Sequence, residues 1–239
     1  MLLHGIARTS ASLTKLARTL EAAGFATLNL DYPSRKHSLA ALTEHVHKEA
    51  APFLAQPGGH AHIVTHSMGG LLARAYIARH RPPDLGRVVM LGPPNAGSEL
   101  ADLLARRVFY RSYFGPAGQQ LGTGPKGKPS QLFGVVDYPV GVIAGDRALD
   151  PLGWLLLPRP NDGRVSVART CVDGMTGHVT VHATHTLMAR NAGVIRHTIQ
   201  FLRHGRFDAG NSRTGSGLTA DPALPDGPST PGRQRAADH

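Results

Sequence analysis

His62-Ile63-Val64-Thr65-His66-Ser67-Met68-Gly69-Gly70-Leu71 decides how the rest of this 239-residue chain is read. A short apolar, β-branched run enters the stretch, two glycines follow the serine, and Leu71, Leu72, Ala73, Ala75 and Ile77 leave it at helical spacing. That pattern predicts a strand, a sharp turn and a helix. A serine in such a turn projects its hydroxyl above the sheet, beside the unpaired N–H groups and positive dipole end of the helix. Ser67 is therefore the candidate nucleophile. Strand and helix approach closely at the turn, which calls for small residues, and Gly69 and Gly70 supply them. Taken without partners, the same residues also describe an ordinary glycine-rich turn.

The flanking sequence repeats the rhythm. Leu2-Leu3-His4-Gly5-Ile6 reads as the end of a buried strand and a turn, Ser12 to Ala23 as a helix stopped by Gly24, and Phe25 to Leu30 as a strand. A second helix starts after the N-cap Ser38, turns Leu39, Leu42 and Val46 inward, and is expected to break at Pro52 and Pro57-Gly58-Gly59. Beyond the central stretch, strands are predicted at Val88 to Leu91, Val140 to Ala144 and His178 to His182, a short extended piece at Val165 to Val167, and a closing helix from Leu187 to Arg203. Alternating strands and helices call for a three-layer α/β/α domain, a mostly parallel sheet of about six strands with helices on both faces.

Composition sets outer limits. Hydrophobic residues make up 41% and charged residues 18%, enough for one globular domain. The net charge of +10 favours anionic partners, including peripheral contact with an anionic membrane surface, but the arginines are scattered and form no basic run interleaved with aromatics, so no nucleic-acid partner is expected. Cys171 is the single cysteine, so no intrachain disulfide forms. No apolar run approaches the roughly 20 residues of a membrane helix, and Met1 leads straight into a strand with no secretory signal. The expectation is a cytoplasmic protein, or a secreted or periplasmic one if the natural start lies upstream. Fourteen histidines raise the idea of a metal-dependent hydrolase, but no His-Glu-x-x-His helix or Cys/His cluster supports a metal, and no cofactor is expected.

The central stretch resembles the nucleophile elbow of the α/β-hydrolase family, with Thr65 in place of the first glycine of Gly-x-Ser-x-Gly. The resemblance covers roughly residues 1–205, in the minimal form of the fold found in bacterial lipases and esterases, and implies an acyl-enzyme on a serine. It places the oxyanion-hole donors at the backbone N–H groups of Ile6 and Met68, and His4, Gly5 and His66 along the substrate path. It also implies the chain order serine, acid, histidine, the last in the loop between final strand and final helix. His185 occupies that junction, while His178 and His182 fall within the predicted strand. For the acid, Asp162 in Asn161-Asp162-Gly163-Arg164-Val165 resembles the Asn-Asp-Gly-x-Val segment of several lipases; Asp146, directly after a strand, is the alternative and Asp150 a third.

Residues 99–137 interrupt the sheet rhythm. Their aromatics, with Tyr110 and Phe114 foremost, read either as a lid or acyl-pocket wall or as a surface excursion packed on the core. Residues 206–239 are rich in Gly, Ser, Thr, Pro and Asp and are predicted to be a disordered polar tail. The expected activity is hydrolysis of small-molecule or lipid carboxylic esters. A thioesterase or acyltransferase of the same fold, and a catalytically silent protein that binds an acyl ligand or a partner, are the alternatives.

Overall fold

The structure, a computed structural model, describes residues 1–98, 115–118, 130–149 and 155–207. Tyr110, Phe114, Asp150, most of the 99–137 insertion and nearly all of the tail lie outside the described residues. Six parallel strands form one sheet: β1 (Leu2–Leu3), β2 (Asn29–Leu30), β3 (Ala61–His66), β4 (Leu85–Leu91), β5 (Val140–Gly145) and β6 (Gly177–Val181), in the order β2-β1-β3-β4-β5-β6. The main helices are α1 (Thr14–Ala22), α2 (Leu39–Leu54), α3 (Met68–His80) and α4 (Ala192–His204).

Both faces of the sheet are covered, because successive side chains along a strand point to opposite sides. Ile63, Val88, Met90 and Val142 enter one core with Leu39, Leu42 and Val46 of α2 and Leu72 and Tyr76 of α3. Their neighbours Val64, Val89, Leu91 and Ile143 enter the other, with Leu16 and Leu20 of α1 and Val194, Phe201 and Leu202 of α4. Each fully buried leucine contributes about 2 to 3 kcal/mol, which is why the strands read as unbroken apolar runs rather than alternating ones.

The local departures from expectation have identifiable causes. Only Asn29–Leu30 of the predicted Phe25 to Leu30 strand is in the ladder, since β1 offers just Leu2 and Leu3 to pair with. α2 runs through Pro52 to Leu54; a proline in the last turn forfeits one intrahelical bond without ending the helix. Val167 begins a short helical turn, Val167–Thr170, in place of an extended piece. The closing helix is split: a 3-10 segment, His185–Arg190, gives way to α4 where the Asn191 side chain accepts the Gly193 and Val194 N–H groups and starts a new helix. Gly205, in the left-handed conformation, ends α4. No helix among the described residues is long and apolar enough to cross a membrane.

Strand order reverses between β1 and β3, the place where open parallel sheets form a crevice at the carboxyl ends of their strands. Gly5 and Ser67 both leave the sheet there. At the opposite end, β1 is shorter than β3, and a cavity of about 1190 Å³ lies beneath it, lined by Met1, Phe25, Leu54, His62 and Tyr76 among others.

Candidate active site

Ser67 stands between β3 and α3 with φ 56° and ψ −128°, a conformation that costs a non-glycine residue about 1 to 3 kcal/mol. Two backbone bonds hold it there: the Ser67 N–H donates to Leu91 O at 2.8 Å, and the Gly70 N–H to Ser67 O at 2.9 Å. The need for glycine after the elbow is steric. A Cβ at Gly69 would lie 2.5 Å from the carbonyl oxygen of Leu3 and 2.8 Å from that of His4, so the end of β1 and the start of α3 touch through backbone alone. Thr65 is accommodated as well, fully buried, but its hydroxyl has no hydrogen-bond partner among the described residues.

Ser67 Oγ is 2.9 Å from His185 Nε2, and His185 Nδ1 is 2.7 Å from Asp162 Oδ2. A carboxylate only accepts, so Nδ1 carries the proton and bare Nε2 accepts from the serine hydroxyl. The Asp162 side chain is fully buried, and its second oxygen accepts the N–H groups of Arg164 (2.9 Å) and Val165 (2.8 Å). The His185 N–H donates to Asp162 O at 2.9 Å, which ties the two loops by main chain and side chain together. Beneath them, Gly92 has φ +53°, and a Cβ there would lie 3.0 Å from Asp162 Oδ2 and 3.2 Å from His185 Nδ1. Sequence reasoning did not single out Gly92; a glycine ending a strand before Pro93-Pro94 was the available signal.

The other acids and histidines lie apart from this line. Asp146 Oδ1 is 2.9 Å from His182 Nδ1 in a solvent-facing pair, and His178 Nε2 is 2.9 Å from Thr170 Oγ1. His4 is completely buried. Its ring stacks on Tyr32 at 3.9 Å, its Nδ1–H donates to Gly5 O at 2.8 Å, and the Tyr32 hydroxyl donates to the His4 carbonyl. Burial pushes the His4 pKa down and that of Tyr32 up. His4 therefore holds the loop after β1 and offers a substrate no surface, contrary to its expected place on the substrate path. Gly5 lies against Ser67, a Cβ there falling 3.1 Å from Ser67 Cβ. His66 is buried too, and its Nε2–H donates to His185 O at 2.9 Å.

Ile6 follows Gly5 in a turn where the Arg8 N–H donates to Gly5 O at 3.3 Å and the Ala7 N–H to Ser34 Oγ at 3.1 Å. Met68 is the first residue of α3, so helix geometry leaves its N–H without an intrahelical acceptor. Among the described residues, no group of three or more His, Cys, Asp or Glu side chains is arranged to hold a metal ion.

Residues 1–116 match the family model described as the alpha/beta hydrolase fold. No curated protein matches the chain. Among solved structures, the lipase BlEst2 of Bacillus licheniformis in its propeptide form superposes with a TM-score of 0.63 at 18% identity, over 91% of this chain and 52% of that one. Its mature form gives 0.58 at 20% identity, over 84% and 87%. The phospholipase PlaB of Legionella pneumophila gives 0.64 at 18% identity, over 86% and 59%. The chain thus spans about half the length of the propeptide form, and at these identities the likeness is one of fold.

Proposed function

Taking as premise that the chain has the α/β-hydrolase fold, we propose that it is a serine hydrolase of carboxylic esters, a lipase or esterase. One observation carries the reading: a continuous line from Asp162 through His185 to Ser67, at 2.7 and 2.9 Å, joins three side chains from three separate loops at the carboxyl end of the sheet. Hydrolases among the structural neighbours, including lipases and a metagenomic carboxyl esterase, are consistent with it.

In this reading Ser67 Oγ attacks the ester carbonyl while His185 Nε2 takes its proton. The buried Asp162 carboxylate fixes the tautomer and stabilises the imidazolium. The N–H groups of Ile6 and Met68 hold the oxyanion, a contribution worth roughly 3 to 4 kcal/mol of barrier per donor. The imidazolium then returns its proton to the departing alkoxide, and a water activated by the same nitrogen releases the acid. The test is covalent labelling by a fluorophosphonate, followed by turnover of p-nitrophenyl esters from acetate to palmitate. Labelling that vanishes in Ser67→Ala and turnover of at least one ester are expected; no labelling, or equal labelling of the variant, overturns the proposal.

A further inference from the structure

His66 touches the reacting groups only from behind. It is 6% exposed, and its ring lies 4.9 Å from that of His185. A carbonyl oxygen can only accept, so the 2.9 Å contact to His185 O requires a proton on Nε2. The other nitrogen faces Gly5, where a Cβ would sit 3.3 Å from it. The ring therefore fills the space between the turn after β1 and the loop carrying His185.

The chemical consequence is a closed circuit. From Ser67 the chain runs back one residue to His66, across the hydrogen bond to the His185 carbonyl, out along the His185 side chain, and back to Ser67 Oγ at 2.9 Å. The contact that circuit adds spans 119 positions of sequence. Without it, among the described residues, the His185 main chain is tied across the site only to the loop of Asp162, and its link to Ser67 runs through the ring alone.

We propose that His66 is a positioning residue, a neutral N–H donor that sets the distance between Ser67 and His185 by gripping the backbone of His185. This rests on the serine-hydrolase reading and deepens it. The role needs a ring that stays uncharged while His185 gains and loses a proton. The surroundings enforce that: burial first, and then the neighbouring His185, drive the His66 pKa down to about 3, against the opposing pull of Asp162 and of the bond to the His185 carbonyl, with Arg8 adding to the fall.

Two amides separate position from polarity. In His66→Gln the side-chain N–H₂ reaches the place of Nε2, whereas in His66→Asn it stops near Nδ1, short of the His185 carbonyl. Each variant is compared with the wild type in rate of fluorophosphonate labelling, in kcat and KM for a p-nitrophenyl ester, in the pH dependence of kcat/KM, and in melting temperature. His66→Asn is expected to lower kcat and labelling by roughly 10- to 100-fold with KM changed less than about twofold, the cost of misplacing a base by about an ångström. His66→Gln recovers most of that loss, and the acidic limb of kcat/KM keeps its midpoint in both. Equal activity in Asn and Gln variants overturns the inference, as does an activity loss that simply tracks melting temperature. Disappearance of the acidic limb would make His66 itself the base and also overturns it. A wild type that does not label defeats the serine-hydrolase reading instead, before any variant is compared.

Discussion

The two ends of the sheet are built on opposite plans. At the carboxyl end, the described segments around Ser67 are tied to one another: Asp162 accepts three hydrogen bonds through its carboxylate, His185 is held at its N–H, its ring and its carbonyl, and the turn after β1 presses on α3 with no room for a Cβ at Gly69. At the amino end, β1 stops after two residues, a cavity of about 1190 Å³ opens below it, and the α-amino group of Met1 is buried, donating to His62 O at 2.9 Å. The difference teaches how little pairing the turn at Gly5 needs: Leu2 and Leu3 alone carry it against α3. Both residues are bonded to a strand on either side, β2 and β3.

The contrast can be broken most sharply at Ser67, the proposed nucleophile. Ser67→Ala is expected to lower ester turnover on the order of 10⁶-fold while leaving the cooperative melt intact, read by p-nitrophenyl release beside calorimetry. Next comes Asp162, the proposed acid. Asp162→Asn should cost about 10⁴-fold in kcat through the wrong imidazole tautomer, whereas Asp146→Asn, which disturbs only the solvent-facing pair with His182, should change kcat less than about threefold; equal losses would mean the acid has been misassigned.

Gly92→Ala comes next, forcing a side chain into φ +53° and against Asp162 and His185; kcat is expected to fall roughly 10-fold with a stability loss of about 1 to 2 kcal/mol. The smallest effect is at Thr65. Thr65→Val keeps the shape and removes an unpartnered buried hydroxyl, and should stabilise the chain by about 1 kcal/mol.

Much of the architecture was legible because it rests on local chemistry. Apolar runs fixed the long strands, and Ser38 and Gly205 marked helix ends by capping. The chain order of 67, 162 and 185, together with the small polar turn at 161–163, singled out the three side chains that the structure places in line. What escaped depends on distant partners. Only Asn29–Leu30 of the stretch from Phe25 pairs with β1, a long-range partnership that no reading of those residues contains. The split at Asn191 turned on one side chain accepting two N–H groups. His4 looked like a substrate contact from its neighbour Gly5, yet Tyr32, 28 positions on, encloses it. His66 and Gly92 matter through residues about 70 to 120 positions away, a distance over which sequence pattern carries no signal.

The bond between residues 67 and 185 closes a loop of 118 positions, and such long closures are slow compared with the formation of helices. If Ser67 reacts as proposed, its reactivity reports the last stage of assembly. On refolding from denaturant, the far-ultraviolet signal of the helices should return first, and the capacity to react with a fluorophosphonate should return only when the two halves of the chain have met.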